Sequence, residues 1–119
     1  MLAGKMISFA CKKIELEELI RCSFNLNKRE FAILMYLLKK NKKYTVMGLA
    51  KELSLERSTI QKAVKKLVEK GLAMRFQQNL DRGGYNFLYK AKNKGEIKER
   101  MKETVRQWYS AVENAIQRI

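Results

Sequence analysis

The chain has 119 residues, a length typical of one compact domain, and 46% of them are hydrophobic, which is enough to build one core. It carries 26 Lys and Arg side chains against 12 Asp and Glu, a net charge of +14, so the favoured class of partner is a polyanion. The sequence contains no histidine, no phosphate-binding glycine motif and no nucleophile motif, which argues against an enzyme.

The positive charge is concentrated in the middle of the sequence. Residues 1–38 hold six basic and four acidic side chains, residues 39–94 hold fifteen and four, and residues 95–119 hold five and four. A surface that is merely solvated is the alternative explanation for a lysine-rich protein. A local excess of eleven positive charges on residues 39–94 instead favours a nucleic acid partner.

Two cysteines, Cys11 and Cys22, are too few for a disulfide scaffold, and no Cys or His cluster has the spacing of zinc ligands. We therefore expect no metal and no cofactor, and we expect both cysteines to pack beside the core in preference to forming a redox switch. The apolar segment of residues 6–11 is too short for a signal-peptide core, and no run approaches membrane-spanning length. These features predict a cytoplasmic protein without a membrane partner.

The first predicted elements are a short helix over residues 14–22 and a second helix that ends near Lys40. Asn27 can cap the second helix, with Glu30 three residues later as in a capping box. Its apolar positions recur with helical spacing: Phe31, Leu34, Met35 and Leu38.

Two further helices follow closely. Thr45 is the expected N-cap of a third helix, whose apolar stripe consists of Val46, Leu49, Ala50 and Leu53. A fourth helix, residues 57–70, stops at Gly71, the usual left-handed stop residue. Its apolar side comprises Ile60, Ala63, Val64, Leu67 and Val68.

Residues 72–79 and 85–91 predict two strands, because Tyr85, Phe87 and Tyr89 alternate with the period of a strand. Residues 80–84 between them contain Gly83 and Gly84 and predict a hairpin tip.

A long helix is predicted over residues 94–119, with a heptad-like apolar seam. We expect this seam to mediate homodimerisation rather than pack back on its own domain. Its residues are Ile97, Met101, Val105, Trp108, Val112 and Ile116. The expected organisation is a DNA-binding domain over residues 1–93 and a dimerisation helix over residues 94–119. An alternative for Trp108 and Tyr109 is the lining of a ligand pocket at the dimer interface.

The predicted order of elements is that of a winged helix-turn-helix, a mainly α (α+β) fold with a two-stranded wing. In this fold the N-terminal half of one helix reads base edges in the major groove, and flanking groups contact phosphates. We assign base reading to Ser58, Thr59, Gln61 and Lys62, and phosphate contacts to Arg57, Lys65 and Lys66. Arg82, with Gly83 and Gly84, is placed at the wing tip beside the minor groove. Thr45 is a further candidate DNA contact.

The sequence resembles the MarR/TrmB-like winged-helix regulators, especially their short archaeal forms, over residues 27–91. The resemblance is carried by LAKELSLERSTI at residues 49–60, KGL at 70–72, DRGGY at 81–85 and YKA at 89–91. It implies a homodimer that binds double-stranded DNA at a pseudo-palindromic operator. Glu56 departs from the usual Ser or Asp cap of the recognition helix. Longer TrmB relatives carry a sugar-binding domain, which we do not expect here, so sugar sensing is not carried over to this chain and the identity of any small-molecule effector stays open.

The leading hypothesis is a sequence-specific transcriptional regulator, and repression is the commoner outcome for such small proteins. The sequence leaves open an architectural protein that coats DNA without sequence preference, or a winged-helix interaction module of the transcription machinery. Uncharged hydrogen-bonding side chains at Ser58, Thr59 and Gln61 favour base reading over purely architectural binding.

Overall fold

The structure, a computed structural model, describes residues 5–119, which cluster into two compact units. The central unit is Lys28–Lys94, and the terminal unit combines residues 5–27 with residues 95–119.

Three helices build the body of the central unit. They are α2 (Lys28–Lys40), α3 (Val46–Leu53) and α4 (Arg57–Glu69), and α4 packs against both of the others. The third and fourth helices therefore occupy the predicted places, with a three-residue turn between them at residues 54–56. Ser54 lies in the left-handed region at φ 53°, and its backbone N–H donates to carbonyls of the preceding turn, which ends α3 sharply.

Packing of the three helices buries a wider face of α2 than its predicted stripe. Ile33, Leu34 and Leu37 are completely buried, whereas Met35 and Leu38 are only half-buried. The difference arises because α2 contacts α4 and a strand at the same time, so residues to one side of the predicted stripe also enter the core. On α4 the predicted apolar positions are confirmed, and only Val68 among them stays partly exposed.

An antiparallel hairpin completes the central unit. The strands β3 (Ala73–Asn79) and β4 (Tyr85–Ala91) pair from Ala73 with Ala91 to Asn79 with Tyr85. Gly71, at φ 72°, ends α4 as predicted. Tyr44 joins β4 from its other side, since the Tyr44 N–H donates to the Tyr89 carbonyl at 2.9 Å and the Tyr89 N–H returns the bond at 2.7 Å. These bonds tie the start of α3 to the hairpin.

The terminal unit begins with a hairpin that the sequence did not predict. The strands β1 (Met6–Phe9) and β2 (Lys12–Glu15) pair antiparallel, and Ala10 in their turn has φ 39°. This turn has no glycine or asparagine, the residues that most often adopt a left-handed conformation. The sequence therefore did not predict a hairpin here.

The first helix, α1, spans Leu16–Phe24 and not the predicted residues 14–22. Ile14 belongs to β2, where it pairs with Ile7. Asn25 then ends the helix in the left-handed region at φ 54°, a stop that asparagine tolerates better than most residues.

The expectation that Cys11 and Cys22 pack beside the core is wrong. Both side chains are exposed and both are free thiols. Cys11 lies in the turn of the unpredicted hairpin, and Cys22 lies on a face of α1 that is open to solvent.

The last helix, α5, spans Lys94–Gln117, close to the prediction. Its apolar seam changes character along its length. Ile97 is 4% exposed and therefore already covered within its own chain, and Met101 is half-buried. From Val105 onward most large apolar side chains of the helix are exposed, with Trp108 at 61%, and Val112 is half-buried.

Candidate nucleic-acid interface

One face of α4 carries polar side chains that the core leaves free. Ile60, Val64 and Leu67 are completely buried on the opposite side and fix the rotation of the helix. Successive helical turns then place four exposed side chains on a single outward face: Ser58, Gln61, Lys62 and Lys65. This face presents a hydroxyl, an amide and two ammonium groups, which can hydrogen-bond to base edges and phosphates.

The remaining predicted contacts on α4 differ in accessibility. Arg57, the first residue of the helix, and Lys66 are exposed, whereas Thr59 is half-buried at the edge of the core. Lys66 lies 3.8 Å from the Glu69 carboxylate, an exposed pair one turn apart. Such a pair contributes little free energy, so Lys66 keeps its freedom to contact a phosphate.

Capping differs between the two helices of the helix-turn-helix. The Thr45 hydroxyl accepts a hydrogen bond from the Gly48 N–H at 3.0 Å, which confirms the predicted cap of α3. Glu56 occupies the N-cap position of α4 but makes no capping hydrogen bond with its side chain. The start of α4 is therefore fixed by packing of Ile60 and by the bond from the Ile60 N–H to the Glu56 carbonyl at 3.1 Å.

The hairpin of the central unit projects a wing whose tip is residues 80–84. The Leu80 N–H donates to the Gly84 carbonyl at 3.0 Å, and the Gly83 N–H donates to the Leu80 carbonyl at 3.1 Å. Gly83 and Gly84 have φ of 90° and 79°, yet a Cβ atom added at either would meet nothing within 4 Å. Glycine is therefore needed for backbone conformation and not for space. This turn carries the exposed side chain of Arg82.

A cleft of about 270 Å³ lies where the wing, the start of α3 and the start of α4 meet. Sequence reasoning placed Thr45, Arg57 and Gln61 among the DNA contacts and missed the rest of this cleft. Met47 and Tyr85 are large, exposed side chains of this cleft. Neither the strand pattern nor the helix stripe in the sequence predicted that they would lie there. The complete lining is Thr45, Val46, Met47, Arg57, Gln61, Tyr85, Asn86, Phe87 and Tyr89.

Lysines at the end of α2 and in the turn that follows it lie over aromatic rings. The Nζ atoms of Lys40, Lys42 and Lys43 lie 5.6, 5.3 and 4.0 Å from the ring centroids of Tyr36, Tyr44 and Phe76, in that order. A ring attracts an ammonium group without cancelling its charge, so these contacts hold the lysines in place and preserve the positive field of the central unit.

Tyr36 is held in the same cluster by Tyr44 and Glu52. Its hydroxyl donates to the Glu52 carboxylate at 3.1 Å, and its ring centroid lies 5.6 Å from that of Tyr44. The hydrogen bond with Tyr44, followed by burial and the Glu52 carboxylate, raises the pKa of Tyr36 above its ordinary value. Tyr36 is therefore a neutral hydrogen-bond donor throughout the physiological pH range.

Charge divides sharply between the two units. The central unit has 17 basic and 5 acidic side chains, a net charge of +12, and the described part of the terminal unit has 9 and 7, a net charge of +2. Within residues 5–119 no group of three or more His, Cys, Asp or Glu side chains is arranged to hold a metal ion. No helix in that range has the length and hydropathy needed to cross a bilayer.

Comparison with known proteins identifies the family of this arrangement. Residues 20–113 match the family model of the sugar-specific transcriptional regulators TrmB. The chain belongs to the TrmB family. Its winged helix-turn-helix, with the α4 face and the wing just described, is accordingly that of a DNA-binding transcriptional regulator.

Relatives of this TrmB-family chain extend the assignment. A solved structure of a possible transcriptional regulator from Methanosarcina mazei Go1 is 35% identical and superposes with a TM-score of 0.91 over 98% of both chains. An uncharacterized protein of Methanocaldococcus jannaschii is 30% identical over 85% of this chain and 82% of its own length. The fold is shared with Staphylococcus aureus MarR, solved in complex with salicylate and kanamycin, which is 23% identical with a TM-score of 0.54 over 84% of this chain and 65% of that chain.

Proposed function

We propose that this TrmB-family protein is a sequence-specific repressor that binds a pseudo-palindromic operator as a homodimer. The observation that carries the proposal is the outward face of α4, where Ser58, Gln61 and Lys62 are exposed near the start of the helix. In the major groove an amide pairs favourably with adenine and an ammonium group with guanine, so Gln61 and Lys62 read base edges.

Cationic side chains around that face hold the helix in register on the duplex. Arg57, Lys65 and Lys66 contact phosphates beside the groove, and Arg82 at the wing tip enters the neighbouring minor groove. The start of α3, capped by Thr45, approaches the same backbone, as the first helix of a helix-turn-helix does. Phosphate contacts supply affinity, whereas Gln61 and Lys62 supply sequence preference.

The exposed part of α5 supports the dimeric assembly. Val105, Trp108 and Ile116 are exposed at helical spacing within the chain, a pattern that a second helix of the same kind would cover. A two-fold dimer presents two copies of α4 to two half-sites, which accounts for a palindromic operator. Occupying a promoter in this way blocks polymerase without an activating surface, hence repression.

An architectural DNA-binding protein is the second candidate, and one observation favours it. The central unit carries a net charge of +12, which gives strong binding to any duplex by releasing counterions. This electrostatic contribution to affinity does not depend on base sequence. The two functions are therefore separated only by comparing the affinities for different DNA sequences.

The deciding experiment is fluorescence anisotropy of the protein with the DNA upstream of its own gene and with a scrambled duplex of equal length, across a range of salt. We expect the upstream DNA to bind about 10³-fold more tightly at physiological salt. Equal affinity for both duplexes at every salt concentration would contradict sequence-specific binding to this DNA and favour the architectural function.

A further inference from the structure

The N-terminal hairpin has one apolar face that residues 5–119 leave open. Directly paired residues of an antiparallel hairpin share a face, and Ile7 pairs with Ile14 while Phe9 pairs with Lys12. Ile7, Phe9, Lys12 and Ile14 therefore share one face, and its three apolar residues form what we name the apolar hairpin face. Ile7 is 46% exposed, Phe9 is 60% exposed, and Ile14 is half-buried.

A two-stranded hairpin of this size needs a surface to pack on. An isolated pair of four-residue strands is marginally stable in water because it buries little apolar surface. Within the described chain the hairpin is held by its junction with α1, where the Leu16 N–H donates to the Lys5 carbonyl at 3.0 Å. That bond fixes its base and leaves the apolar hairpin face uncovered.

Charge indicates what kind of partner covers this face. The described part of the terminal unit has a net charge of only +2, against +12 for the central unit. Two copies of the chain that meet through surfaces of low net charge bring few like charges together, and a polyanion gains little there. A second copy of the chain is therefore the favoured occupant.

The exposed apolar area of the α5 seam can be compared with the area that a specific interface buries. The exposed apolar side chains of the seam from Val105 to Ile116 present on the order of 400 Å² in each protomer, taking roughly 100–200 Å² for each fully exposed side chain. A specific interface buries about 800 Å² on each partner, of which about 60%, or roughly 500 Å², is apolar. The apolar hairpin face adds roughly 200 Å² and brings the apolar area of each protomer to about 600 Å², enough for such an interface.

We infer that the apolar hairpin face packs on the exposed α5 seam of a second copy, so that each protomer contributes an N-terminal arm to the dimer. The inference rests on the proposed homodimer and extends it. By two-fold symmetry the contact occurs twice, since each hairpin covers the partner's α5 and its own α5 is covered in return.

The first test uses two neighbouring residues as a matched pair. Met6 is 47% exposed, almost the same as Ile7, but it pairs with Glu15 and so belongs to the opposite face of the hairpin. We expect Ile7→Ser to weaken the dimer about tenfold in sedimentation equilibrium and Met6→Ser to change it by less than about twofold. Equal effects of the two substitutions, or no effect of Ile7→Ser, would overturn the inference.

The second test needs no change to the apolar hairpin face. Cys11 is exposed at the hairpin turn, so a Cys22→Ser chain can be labelled there alone with a benzophenone maleimide. Mixed dimers of light and nitrogen-15-labelled chains, irradiated and mapped by mass spectrometry, should join Cys11 of one isotope to residues 105–119 of the other. Cross-links confined to one chain in a dimeric sample would overturn the arm but leave the homodimer standing. A monomeric parent chain in light scattering would instead overturn the homodimer itself.

Discussion

The central and terminal units use apolar residues in opposite ways. In the central unit Ile33, Leu49 and Leu67 are completely buried, and the surface is rich in cations. In the terminal unit many of the large apolar side chains, such as Phe9 and Trp108, are exposed, while the net charge is close to neutral. The first pattern is that of a packed hydrophobic core. The second is typical of an apolar surface that binds a partner.

This difference separates two equilibria within one small chain. DNA binding through the central unit is driven by charge and must weaken steeply with salt. Association of the proposed homodimer through the terminal unit would be driven by apolar burial and would depend little on salt. We therefore expect added salt to release DNA from the protein without dissociating this dimer.

The largest expected effect is a loss of stability from the core of the central unit. Leu67→Ala should lower the free energy of unfolding by about 2–5 kcal/mol, because it removes a completely buried side chain between α4 and its neighbours. Urea denaturation followed by circular dichroism measures the change. A loss below about 1 kcal/mol would mean that the central unit is less tightly packed than its burial indicates.

A similar truncation on α5 should act on assembly instead. Trp108→Ala combined with Val112→Ala should weaken dimerisation by about 2 kcal/mol or more, since a buried tryptophan is a typical interface anchor. Light scattering at several protein concentrations reports the lower mass. Circular dichroism of the dilute protein serves as the control, because little change is expected where Trp108 is 61% exposed.

The α4 face permits a test of base reading against phosphate contact. Gln61→Ala should reduce affinity for the selected operator by about 1–3 kcal/mol and leave binding to random DNA nearly unchanged. Lys65→Ala should weaken both duplexes alike and lower the slope of log K against log salt by about one. Anisotropy titrations give both quantities, and identical behaviour of the two variants would remove the base-reading role of Gln61.

The smallest expected difference lies between the two helix starts. Thr45→Ala removes the acceptor of the Gly48 N–H and should cost about 1 kcal/mol of stability. Glu56→Ala, at the N-cap of α4, removes no capping bond and should cost less than about 0.5 kcal/mol. Thermal unfolding without DNA resolves the two, and an equal loss would contradict the difference in capping.

The central unit was predictable because its local signals agree with its packing. The cap at Thr45, the stop at Gly71 and the glycines of the wing tip each have a local physical cause that the sequence displays. The outward positions of Gln61 and Lys62 follow from the same helical periodicity that buries Ile60 and Leu67. By contrast, the cleft beside Met47 and Tyr85 arises from the meeting of three elements, which no local pattern encodes.

The terminal unit was predicted less well because its structure depends on context. The turn at Ala10 adopts a left-handed conformation without the residue types that favour it, so the hairpin and the shifted start of α1 had no local signal. Cys11 and Cys22 were expected to pack because cysteine is usually buried, yet both lie on the surface. The same heptad-like spacing covers the buried start of the α5 seam and its more exposed continuation. The spacing therefore could not predict the difference in burial, which depends on tertiary contacts.

The pair of hydrogen bonds between Tyr44 and Tyr89 has a mechanical consequence. It connects the residue before the α3 cap directly to Tyr89 of β4, so the wing strand and the start of α3 are joined by backbone bonds. In the proposed complex, a displacement of the wing tip toward a minor groove would therefore pass through Tyr44 to Thr45 at the start of α3. Contacts of the wing and of α3 with DNA would then be coupled through the protein.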